Sequence, residues 1–161
     1  KVLPEVVSVM EICRDEDIIF ATGHSSPDEA VALVKKAKEV GVRKCVVTHC
    51  TQTYWHITLD QAKVCLENGA YLEHSILPYY NGVHCLIPAY QKAQQTPLEE
   101  FVRYIRLDPS HQFISSDLGM SKMPNPVDGM RDCLHGLRQA GLTDKDLDLT
   151  TRRVPALLLG I

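Results

Sequence analysis

Residues 44–50 read KCVVTHC: an apolar core strand that finishes on a histidine between a threonine and a cysteine. Cys45, Val46 and Val47 are apolar toward both faces, which is the pattern of a strand in a covered parallel sheet. The same ending recurs upstream in DIIFATGHS (17–25) and downstream in AYLEHS (70–75). The three histidines, His24, His49 and His74, follow one another at 25-residue intervals.

The segments between these strands carry helix punctuation. In SPDEAVALVKKAKEVG (26–41), Ser26 is the cap, Pro27 takes the first helical position, Glu29 completes a capping box and Gly41 ends the helix. Ala30, Val31, Leu33, Val34 and Ala37 form one apolar stripe. Thr58 and Gln61 repeat the box ahead of LDQAKVCLENG (59–69), and Thr96, Pro97 and Glu99 repeat it again after a longer connection over 76–95. HQFISSDLG (111–119) is the fourth strand, Pro126 opens a helix through Ala140, and a last helix starts after Thr143. The opening KVLPEVVSVMEICRDED (1–17) reads as an amphipathic helix.

Four strands, near 18–22, 45–48, 71–73 and 113–116, alternating with helices predict an α/β fold with a parallel sheet and right-handed crossovers. In such a sheet every polar strand end lies on the carboxyl edge, where ligands bind in α/β folds. His24, His49, His74 and Asp117 are the polar ends of the four strands, so they are expected around one cavity. Each alone has a bland reading: a hydrogen-bonded strand-end histidine, or an aspartate in a turn. As a group at equivalent positions they have no simple packing explanation. Imidazole nitrogen and carboxylate oxygen are the ligands that zinc and similar divalent metals take.

His56 lies just before a helix cap, His111 just before a strand and His135 on a helix surface. His84 lies in the 76–95 loop and is a candidate substrate contact, as are Lys122 in the 119–125 loop and Tyr79 or Tyr80. Cys50 reads as a buried structural thiol, because it must point away from His49. Glu73, next to His74, is expected on the face opposite to it.

The chain has 161 residues, 45% of them hydrophobic, enough for one domain with its own core. A net charge of -3 with scattered Lys and Arg argues against nucleic acid as a partner. The longest apolar run is far short of the roughly 20 residues of a membrane span. Six cysteines without C-x-x-C indicate free thiols in a reducing compartment, so a cytoplasmic protein is expected.

ATGHSS, VVTHC, AYLEHS, PLEEFVRYIRLDPSHQFISSDLG and the closing DLDLTTRRVPALLLGI together resemble the second half of an amidohydrolase-superfamily protein, close to its small metal-dependent hydrolases. The resemblance runs from Asp17 to the end. It implies a parallel (β/α) barrel of TIM type, to which residues 1–161 contribute the last four strand–helix units as a single domain. It implies metal binding by His24, His49 and Asp117, with zinc the first choice. It also implies that Asp117 is the catalytic proton acceptor from the attacking water. His74 is then a substrate contact, a partner behind the ligands or an extra ligand. The expected reaction is hydrolysis of an amide, ester, lactone or phosphoester in a small-molecule substrate.

The family's His-x-His pair on the first barrel strand has no match here, nor has its fourth-strand ligand. The chain opens on Lys1. The reading is therefore a C-terminal half that belongs to a longer protein, or a half-barrel that pairs with itself or another chain. Its alternative is a non-catalytic half-barrel that binds a metal or ligand, or a subunit of a larger assembly.

Overall fold

The computed structural model describes residues 1–52, 55–82 and 85–161. Its centre is a four-stranded, all-parallel sheet in the sequential order β1-β2-β3-β4. The strands are β1 (Phe20–Ala21), β2 (Cys45–Val47), β3 (Tyr71–Ser75) and β4 (Gln112–Ser115). The helices are α1 (Pro4–Asp15), α2 (Pro27–Val40), α3 (Leu59–Glu67), the single turn α4 (Pro88–Gln91), α5 (Leu98–Ile105), α6 (Pro126–Gln139), α7 (Asp144–Asp148) and α8 (Val154–Leu159). The α/β class and the parallel sheet expected from the sequence are both present.

Two of the expected capping boxes form. Thr58 accepts from the Gln61 N–H, and the Gln61 side chain returns to the Thr58 N–H at 2.9 Å. Ser26 and Glu29 close the same reciprocal pair at the start of α2. Gly41 ends α2 at φ 92°, a left-handed conformation that a side chain would strain. The expected cap at Thr96 is corrected: Pro97 occupies the cap position of α5, and the Thr96 hydroxyl donates to the Thr51 carbonyl instead. The expected helix after Thr143 does start there, as α7 with Thr143 at its cap. Pro155 has no N–H for the preceding turn, and a π-helical turn (Leu149–Arg153) separates α7 from α8.

Alternation along the strands divides the sheet into two faces. Phe20, Cys45, Val47 and Leu72 pack with Met10, Val34, Ala37 and Ala62, under α1, α2 and α3. Ile114 joins Phe101, Ile105, Cys133 and Leu137, under α5 and α6. All of these strand residues share one face by register and parity. Each fully buried side chain of Leu or Ile size contributes about 2 kcal/mol to burial. The crossover helices therefore lie together on one side, rather than alternating between faces as in a doubly wound sheet.

The opposite face is not bare. Val46, with Tyr71 and Phe113 beside it, packs against Val154 and Leu158 of α8. This covers the amino half of the face. Its carboxyl half carries Glu73, Ser75 and Ser115.

Candidate functional site

The carboxyl ends of β1 and β2 bring two of the expected residues together. The rings of His24 and His49 have centroids 5.2 Å apart and planes tilted by 31°. Trp55 stacks on His24 at 4.2 Å and lies 5.9 Å from His49. His24 is exposed, while His49 keeps only 13% of its side chain accessible. A cleft of about 540 Å³ adjoins His24, lined by Val2, Leu3, Leu33, Ser25 and Glu29 among others.

The local backbone explains how His49 reaches this place. Its φ is 55°, left-handed, which turns the chain sharply after β2. Thr48, just before it, takes the Gly23 N–H at 3.2 Å and donates its own N–H to the Thr22 hydroxyl at 3.1 Å. Strained non-glycine positions of this kind concentrate at functional sites. Asp117 has the same conformation at the end of β4, with φ 52°. Leu118, next to it, is buried and fills the space over Gly129 of α6, so the chain after β4 is anchored while Asp117 stays exposed.

Glu73 also belongs to the site, although the sequence pointed to its neighbour. Its Oε2 accepts the His49 backbone N–H at 3.1 Å, and its Oε1 accepts the Ser115 hydroxyl at 2.8 Å. His49 Nδ1 lies 3.4 Å from Oε2, an ion-pair distance rather than a formed hydrogen bond. Among the described residues that nitrogen has no hydrogen-bond partner, and neither has the Ser75 hydroxyl on the same face. The available signal was parity: Glu73 and Ser115 alternate out of the helix-covered face. Trp55 carried no comparable signal, because a tryptophan in a connection has no periodic context.

His74 is the main correction. Strand alternation turns it into the helix-covered core, away from the rim, where it is fully buried. Gln112 Nε2 donates to the carbonyls of Tyr104 (2.8 Å), Ile105 (3.2 Å) and Asp108 (3.0 Å), closing the end of α5. That fixes Gln112 Oε1 as the atom facing His74 Nε2 at 2.7 Å, so Nε2 carries the proton and donates. His74 Nδ1 is then an acceptor, with Cys50 Sγ and Thr51 Oγ1 each 3.4 Å away. Burial lowers its pKa from 6.5 to about 4. Both nitrogens are engaged inside the core, so His74 meets neither substrate nor metal.

Cys50 matches its structural reading: it is buried, donates to the Glu73 carbonyl at 3.0 Å, and burial raises its thiol pKa far from a reactive value. Lys122 is exposed at φ 72° beside a second cleft of about 400 Å³, with Tyr80, Cys85 and Met123. Tyr80 is committed to the Gly129 carbonyl and to Asp132. His84 lies outside the described residues.

The donor set can be tested against a metal. Zinc held tetrahedrally by two imidazoles at about 2.0–2.1 Å separates their ring centroids by about 5 Å, which the His24–His49 pair matches. Among the described residues no three His, Cys, Asp or Glu side chains are gathered to hold an ion, so Asp117 does not join the pair. The His24–His49 pair thus has the spacing of two imidazole ligands, with no third ligand gathered beside it among the described residues.

A family model described as a family of unknown function (DUF6282) matches residues 1–73, a stretch that includes His24 and His49 and ends on Glu73. No curated protein and no solved structure matches the chain. No helix among the described residues is long and apolar enough to cross a membrane.

Proposed function

We propose that this chain is the C-terminal half of an amidohydrolase-like (β/α) barrel and supplies part of the site of a metal-dependent hydrolase. The sequential strand order and the one-sided crossovers support the barrel. The observation that carries the function is the His24–His49 pair at ligand spacing on adjacent strand ends. These two histidines hold a divalent metal, zinc first, and the remaining ligands come from a further polypeptide segment or partner chain across the open sheet edges. Such a metal lowers the pKa of a bound water toward about 7 and polarises a carbonyl or phosphoryl oxygen.

The chain's own residues do the rest. Asp117, exposed on the same edge, accepts the proton of the attacking water. Trp55 walls the His24 ring and excludes water from one side of it. The substrate is a small molecule with an amide, ester, lactone or phosphoester bond. A cytoplasmic setting suits six free, buried thiols.

The test is a hydrolase panel with zinc on the chain together with any partner that co-purifies with it. Asp117→Asn should lower turnover by about 10²-fold or more with metal content unchanged. Parental turnover in that variant would remove Asp117 from the mechanism. A second reading, metal or ligand binding without turnover, is favoured by the separation of Asp117 from the histidine pair. It predicts zinc in the preparation and no hydrolysis of any panel member.

A further inference from the structure

The geometry points to Glu73 as the residue that positions His49, holding its imidazole with Nδ1 protonated and Nε2 turned to the rim; this rests on the metal-site reading above. Three observations converge on the carboxylate. Its Oε2 takes the His49 main-chain N–H at 3.1 Å and stands 3.4 Å from Nδ1 of the same residue. Its Oε1 is held by the Ser115 hydroxyl at 2.8 Å, which fixes the carboxylate plane from the neighbouring strand. Nδ1 is buried with no hydrogen-bond partner among the described residues, and the Glu73 carboxylate is the acceptor that stands next to it.

The left-handed φ of 55° at His49 is what brings its main-chain and ring nitrogens over one oxygen. A carboxylate accepts only, so its charge favours the tautomer with the proton on the nitrogen that faces it. The proton on Nδ1 leaves the Nε2 lone pair free for a metal, with the ring oriented by the acid behind it. Glu73 touches neither metal nor substrate in this role. It acts through His49.

Glutamine at position 73 keeps the size but offers one acceptor where the carboxylate offers two. It cannot serve Ser115 and both His49 nitrogens in the same way. The experiment is ¹⁵N NMR of the His49 imidazole, without metal, in the parent and in Glu73→Gln, followed by calorimetric zinc titration of both. Thermal unfolding checks that each is folded. The parent should show His49 mainly protonated on Nδ1. Glu73→Gln should show a mixture of tautomers and a zinc Kd higher by about 10–100-fold.

A parent His49 protonated on Nε2 would overturn the assignment, whatever zinc does. So would an Nδ1-protonated His49 that persists unchanged in Glu73→Gln. If zinc fails to bind the parent while the tautomer behaves as expected, the metal reading falls and the positioning role of Glu73 stands. If Glu73→Gln does not fold, Ser115→Ala, which frees one side of the carboxylate, should produce the same tautomer mixture in weaker form; an unchanged tautomer there would count against the proposal.

Discussion

Burial keeps His74 neutral down to about pH 4, whereas an unfolded chain protonates it near 6.5. Between those values the unfolded state holds a proton that the folded state lacks, so stability falls as pH drops through this window and is flat with respect to this group above it. The full gap is worth about 3 kcal/mol. Urea unfolding at pH 7 and pH 4.5 should show most of that loss, and His74→Gln should flatten the slope between them. Gln112→Leu should cost about 3 kcal/mol at neutral pH, because it strips the partner from His74, from two carbonyls at the end of α5 and from the Asp108 carbonyl beyond it. A loss under about 1 kcal/mol would mean the network does not hold α5 to β3. At this scale the sequence foresaw that His24 and His49 come together, but it expected His74 beside them, and that side chain lies in the core. Equal spacing says nothing about side-chain direction when one strand end turns through a left-handed residue and another continues extended for one residue more.

The punctuation between elements was legible where the chemistry is local. The Ser26–Glu29 and Thr58–Gln61 boxes need only a hydroxyl, a side-chain acceptor three residues on and a helix between. Thr58→Ala should therefore destabilise by about 1 kcal/mol, measured by chemical denaturation with unchanged m-value. Thr96 carries the same local pattern and fails, because its hydroxyl finds the Thr51 carbonyl across the core. A tertiary partner overrides the local motif there, and no single-segment reading foresees it. The π-helical turn before α8 was legible in principle from Pro155, whose missing N–H interrupts the ladder.

The sheet as a whole keeps its crossover helices on one side and lays α8 over the amino half of the other. The parallel polarity of the strands was readable from apolar runs alternating with capped helices. The placement of α8 was not, since LLLG segments pack equally well on either side of a sheet. Leu158→Ala should cost about 2–3 kcal/mol, by cavity formation against Val46 and Phe113. A cost below about 0.5 kcal/mol would say that the face is covered by something else.

The proposed joint binding of a divalent metal by His24 and His49 can be measured directly. Trp55 is the only tryptophan of the chain and stacks on His24, so its emission reports on the site directly. The measurement is a zinc titration of the parent, His24→Ala, His49→Ala and the surface control His135→Ala, followed by calorimetry and tryptophan fluorescence together. The account predicts one saturable site in the parent and in His135→Ala, with a matching change in emission, and a Kd at least about 10-fold higher in either rim variant. No saturable binding in the parent, or equal affinity in all four proteins, would contradict it.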